Sequence, residues 1–114
     1  KKNNLRCGIA IKPKTPFKVV EKYLSLIDYV VVMSVEPGFG GQGFIPSTLE
    51  KISSIDKTLK EKNLRDKIAI QVDGGIKLHN AKEVIDAGAD ILVAGSEVFK
   101  SENPTETIDK MYSL

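Results

Sequence analysis

The chain has 114 residues, 41% of them hydrophobic and 28% charged, which is the length of one domain and the balance of a folded globular protein rather than a disordered or fibrous one. Its 17 basic and 15 acidic residues are interspersed and leave a net charge of +2, which argues against a nucleic-acid surface. The longest apolar run, residues 29–33, falls far short of the roughly 20 residues of a membrane span, no signal-like segment opens the chain, and the single cysteine, Cys7, can form no internal disulfide. A cytoplasmic setting without membrane or nucleic-acid partners is therefore the expectation.

Short β-rich runs alternate with longer amphipathic ones, the order of a parallel sheet covered by helices. Residues 6–11 read as a strand, and Pro16 leads into a helix that runs to about Ser25. Residues 29–35 form the next strand, almost wholly apolar as a strand buried on both faces would be. A glycine-rich loop, residues 36–44, follows it. Ser47 and Glu50 have the spacing of a capping box, and Leu49, Ile52, Ile55 and Leu59 recur at helical intervals until about Asn63. The third strand, residues 68–72, ends in Asp73-Gly74-Gly75, and residues 78–87 form a helix stopped by Gly88. Residues 91–94 are a fourth strand, followed by Gly95-Ser96, a short turn over residues 97–100 and a last helix from Pro104 to about Ser113.

Four such βα units make half of a (β/α)8 barrel, whose closure takes eight parallel strands and typically about 250 residues. Residues 1–114 are accordingly expected to be the C-terminal half of a single α/β barrel domain, with an N-terminal half-barrel as the partner. The competing architecture is a small open sheet of four strands with helices on both faces.

Ligands in either architecture sit at the C-terminal ends of the strands. Three turns there are glycine-rich: Gly38-Phe39-Gly40-Gly41-Gln42-Gly43, Asp73-Gly74-Gly75 and Gly95-Ser96. Glycine lets backbone N–H groups close on an anion, so these turns suit a phosphate, although each also serves simply as a tight turn. The 36–44 loop has the length of a lid. Strand alternation puts Ala69, Gln71 and Asp73 on one face and points Asp73 into the barrel mouth, where a carboxylate can move a proton or ligate a divalent metal. The plainer alternative is an aspartate that forms the turn before two glycines. Met33 shares a face with Val31 and Val35 and either roofs a site or fills the core. His79 lies in the first turn of a helix with no second histidine at ligand spacing and reads as surface. Cys7, in a strand with no histidine beside it, reads as buried packing.

The block Val32-Met33-Ser34-Val35-Glu36-Pro37-Gly38-Phe39-Gly40-Gly41-Gln42, with Gly8-Ile9-Ala10-Ile11-Lys12-Pro13 before it and Val72-Asp73-Gly74-Gly75-Ile76, Ala87-Gly88-Ala89-Asp90 and Gly95-Ser96 after it, resembles ribulose-phosphate 3-epimerase. The resemblance covers nearly the whole chain in the right order. It implies a ribulose-phosphate-binding TIM barrel that interconverts D-ribulose 5-phosphate and D-xylulose 5-phosphate in the pentose phosphate pathway, by proton transfer at C3 through an enediolate, with one divalent metal ion (Zn, Fe, Mn or Co). It implies that Asp73 is one of two opposed catalytic aspartates and a metal ligand. Gly40, Gly41, Gly74, Gly75, Gly95 and Ser96 would then hold the phosphate, and Met33 would cap the enediolate. The family's two histidine ligands, its other aspartate and a substrate serine belong to the first four βα units, so this chain alone is expected to be inactive. The complete barrel is expected to be a homo-oligomer. An epimerase for a six-carbon ketose phosphate and a non-catalytic phosphosugar-binding module are the alternative functions.

Overall fold

The computed structural model describes residues 5–35, 45–94 and 102–114. Among these residues four strands, β1 (Gly8–Ile11), β2 (Tyr29–Met33), β3 (Ala69–Asp73) and β4 (Ile91–Val93), form one parallel sheet in the order of the chain. Between them lie the helices α1 (Lys18–Glu21), α2 (Thr48–Glu61) and α3 (Leu78–Ala87), and α4 (Pro104–Tyr112) ends the chain.

The ladder pairs Ile9 with Val30 and Val30 with Ile70, then Ile11 with Val32, Val32 with Val72 and Val72 with Leu92. These side chains share one face, and Val30, Val32, Ile70 and Val72 are completely buried there. Helix α2 lays Ile52, Ile55 and Leu59 on that face at intervals of three and four, and α3 adds Ala81 and Val84. The other face, carrying Val31, Met33, Gln71 and Asp73, is half-buried, and at β4 it leaves Ile91 40% and Val93 36% exposed. Consecutive parallel strands joined by right-handed crossovers put the connecting helices α1, α2 and α3 on the same side, and the burial of Val20, Ile52, Ile55, Ala81 and Val84 follows that pattern. The sheet is therefore one wall of a barrel, and the open sheet with helices on both faces is set aside.

Local signals fail in four places. The helix after Pro16 is only one turn long and gives way to a 3-10 turn, Leu24–Leu26, because the buried stripe Val20, Leu24 and Ile27 is reached with a tighter second turn. β2 stops at Met33, two residues earlier than its apolar pattern suggests, where Ser34 turns its hydroxyl back onto the neighbouring strand end. The capping box at Ser47 does not form: Ser47 is itself helical and its side chain makes no cap hydrogen bond, while the N–H groups of Thr48 and Leu49 donate to the carbonyls of Ile45 and Pro46 at 3.0 and 3.1 Å. Asn103 caps α4 instead in the expected way, its side-chain oxygen accepting from the Glu106 N–H at 3.1 Å. Cys7 is exposed, not buried, since β1 starts only at Gly8; its N–H donates to the Asp28 carboxylate at 2.7 Å.

At the N-terminal end of the strands, Arg65 ties three segments together. Its guanidinium donates to the carboxylates of Asp56 and Asp90 and to the carbonyls of Ile68 and Gly88. Asp90 in turn accepts the Ile70 N–H at 2.8 Å, which continues the β3 ladder with a side chain. Gly88 is a glycine for a steric reason: its φ is +132°, and a Cβ there would stand 2.9 Å from the Asp56 Cβ. The Asp90 hydrogen bond holds the Arg65 guanidinium above its usual value, against partial burial and with help from Asp56. Burial pushes the Asp56 carboxyl up, but the hydrogen bonds and charges of Arg65 and Lys60 outweigh it and leave the group below the usual carboxylate range. A depressed folded-state pKa stabilises the fold fully above the unfolded value, about pH 4, and that stabilisation is lost as pH falls through the folded value. Arg65→Met is expected to lower stability by about 2–3 kcal/mol at neutral pH, measured by urea unfolding. Its stability is also expected to fall less steeply than wild type below about pH 4.

Candidate active-site rim

The register that buries Val32 and Val72 under the helices turns the next residues the other way. Met33 is paired with Asp73, and Asp73 with Val93, so these three side chains stand side by side on the inner face at the C-terminal strand ends. Met33 and Asp73 are both half-buried. Gly74 and Gly75 follow at once, with φ of +123° and +68°, and fold the chain over the rim. Of the residues expected at the site, the structure thus brings together Met33, Asp73, Gly74 and Gly75. Gly40, Gly41, Gly95 and Ser96, together with the 36–44 loop and the 97–100 turn, lie outside the described residues. His79 is exposed, on the helix side of the rim, where it lines a recess of about 270 Å³ with Leu49, Gly75, Lys77, Asn80 and Glu83.

Two polar side chains that sequence reasoning passed over hold this turn. Ser34, fully buried, donates its backbone N–H to the Asp73 carbonyl at 2.8 Å, and its hydroxyl bridges the carbonyls of Asp73 and Gly74. Asn80 accepts the Lys77 N–H at 2.8 Å and donates to the Gly75 carbonyl at 2.9 Å. Gly74 has no room for a side chain, because a Cβ would lie 2.7 Å from Val35 Cγ2 and 2.9 Å from the Val35 nitrogen. The turn bearing Asp73 is thus wedged between the end of β2 and the first turn of α3.

A third side chain, Lys51 of α2, reaches the loop after β1. Its ammonium donates to the carbonyls of Lys12, Pro13 and Thr15 at 3.1, 2.8 and 2.8 Å, so each of its three N–H groups has an acceptor. Partial burial draws its pKa below the ordinary lysine value.

Asp73 is a hard oxygen ligand on the inner face, but among the described residues no three His, Cys, Asp or Glu side chains gather closely enough to hold a metal. A recess of about 470 Å³ lined by Arg6, Asp56, Arg65 and Asp90 lies at the opposite, N-terminal end of the strands, where barrels keep stabilising contacts rather than chemistry.

A half-buried strand-end carboxylate followed by a glycine turn, on a parallel sheet whose helices lie on one side, is an arrangement of (β/α)8 barrels. The profile of the Ribulose-phosphate 3 epimerase family matches residues 1–99, and the chain belongs to that family. It is 39% identical over 113 residues to the ribulose-phosphate 3-epimerase of Escherichia coli (strain K12), covering 99% of this chain and 49% of that protein. It is 40% identical over 111 residues to the Bacillus subtilis (strain 168) protein of the same name, covering 97% of this chain and 51% of that one. The chloroplastic ribulose-5-phosphate-3-epimerase of Arabidopsis thaliana is 46% identical over 103 residues, 90% of this chain and 36% of its own length. The chain therefore spans about half the length, or less, of these relatives. Among solved structures, a doubly substituted flavocytochrome b2 with sulfite bound superposes with a TM-score of 0.63 at 21% identity, over 98% of this chain and 30% of that one, a likeness of fold alone.

The wedge around Gly74 makes two substitutions informative. Gly74→Ala, strained by both its φ and its contact with Val35, is expected to cost about 1–3 kcal/mol. Ser34→Ala, which strips a donor from two carbonyls, is expected to cost about 1–2 kcal/mol; denaturant midpoints measure both.

Proposed function

We propose that the complete barrel to which this chain contributes interconverts D-ribulose 5-phosphate and D-xylulose 5-phosphate, a step of the pentose phosphate pathway, by moving the proton at C3 from one face of the sugar to the other. The observation that carries this reading is the pairing of Met33 with Asp73 beside Gly74 and Gly75, in a chain whose relatives bear the name of that epimerase. Residues 1–114 then form the C-terminal half of one barrel domain. The N-terminal half covers the inner face, on which Ile91 and Val93 stand exposed.

The hydrogen on a carbon next to a ketone is weakly acidic, and a carboxylate held within reach removes or returns it. Asp73 takes that role on one side of C3, with its carboxylate set by the wedged turn. An opposed acid from the N-terminal half serves the other side. A divalent ion (Zn, Fe, Mn or Co), held in part by Asp73, would supply positive charge against that building on the sugar oxygens. Gly74 and Gly75, with Gly40, Gly41, Gly95 and Ser96, would hold the phosphate, since glycine lets backbone N–H groups close on an anion. Met33, beside Asp73, gives an apolar wall to the planar intermediate and keeps water from it. Assembly of the barrel into a homo-oligomer and a cytoplasmic location complete the reading. The free thiol of Cys7 suits a reducing compartment, and among the described residues no helix is long and apolar enough to cross a membrane.

In the complete enzyme, Asp73→Asn is expected to lower kcat on D-ribulose 5-phosphate by at least about 10²-fold. A chelator is expected to abolish turnover, with recovery on adding a divalent metal. Near-normal turnover by the Asp73→Asn variant would remove Asp73 from the chemistry.

A further inference from the structure

Lys51 is more committed than a helix-surface lysine needs to be. It lies on α2, 36 to 39 residues away in sequence from the carbonyls it binds, and it gives all three N–H groups to one four-residue turn. That turn, residues 12–15, is closed by the Thr15 N–H donating to the Lys12 carbonyl at 3.0 Å. With its ammonium engaged this way, Lys51 has no donor left for a ligand; its effect must pass through the loop.

The loop begins at the C-terminal end of β1. Ile11, the last paired residue of β1, pairs with Val32 and is buried under the helices, and alternation carried one position further sets Lys12 on the inner face, toward the level of Met33 and Asp73. Lys12 is exposed. Two strand spacings of about 4.8 Å separate it from the level of Asp73, within the span of one five-carbon sugar phosphate. We propose that Lys51 is a positioning residue that fixes the 12–15 loop so that the Lys12 ammonium stands on the substrate rim and draws in the anionic sugar phosphate. This rests on the reading of the rim as a phosphosugar site. Lys12 then governs affinity rather than the proton transfer at Asp73, and Lys51 acts only through Lys12.

The test uses the complete barrel and the variants Lys51→Met, Lys12→Met and the double variant. In Lys51→Met, exchange of the Thr15 amide followed by NMR is expected to accelerate at least about 10-fold. Each single variant is expected to raise KM for D-ribulose 5-phosphate roughly 5- to 10-fold with kcat within about 2-fold, the pattern of lost uniform binding. The double variant is expected to match Lys12→Met rather than to multiply the two effects. Multiplying effects, an unchanged KM in either single variant, or an unaltered Thr15 exchange rate overturns the inference. If the wild-type barrel shows no turnover, the epimerase reading fails by itself. Titration calorimetry with inorganic phosphate then decides this inference, which falls if Lys12→Met and Lys51→Met bind phosphate as tightly as wild type.

Discussion

Strand parity in the parallel ladder is the constraint on which the rest of the molecule depends. Because side chains alternate with a period of two, one choice of register places Val32 and Val72 under the helices and Met33 and Asp73 on the inner face. A slip of one residue would reverse both sets at once. It would drive the Asp73 carboxylate into the apolar layer formed with Ile52, Ile55 and Val84, where an unpaired charge is costly. Burial of the valines and placement of the carboxylate on the inner face are thus one decision, made by the hydrophobic layer.

Polar clamps at the two ends of β3 fix that decision and divide the labour between them. At the N-terminal end, Arg65 and Asp90 extend the ladder with side-chain bonds and join the segments on either side of α3. At the C-terminal end, Ser34 and Asn80 hold the carbonyls of Asp73, Gly74 and Gly75 without touching the Asp73 carboxylate. The first clamp is charged and its strength depends on pH; the second is neutral. Under the proposed role of Asp73 in proton transfer, the rim would keep its shape through supports that carry no charge.

What was legible in the sequence follows from how far each signal reaches. The alternation of β3 and the spacing of Ile52, Ile55 and Leu59 are local, repeated and enforced by the core, so both elements and the face of Asp73 could be read directly. The capping box at Ser47 is also a local signal, but Ser47 already has a helical backbone and its side chain makes no cap hydrogen bond. The break after α1 follows from the fit of Val20, Leu24 and Ile27 against the sheet, which no window of a few residues contains. Ser34 and Lys51 were invisible for a further reason. Their partners are backbone carbonyls 36 to 40 residues distant, and a carbonyl carries no residue identity for a sequence to display.

The geometry of the wall also bears on how the proposed inverting proton transfer would be divided. Side chains at the ends of β1 to β4 project from one side of a barrel, so a carbon held over this rim meets Asp73 and its neighbours on a single face. Inversion needs an acid on one face and a base on the other, and a carboxylate rooted at the same strand ends cannot pass around the substrate to serve both. The second group has to stand on the opposing wall, at a distance that the diameter of a closed barrel sets. The proposed chemistry would therefore call for closure, as the exposed Ile91 and Val93 do: one wall leaves its apolar face uncovered and would serve only one side of the substrate.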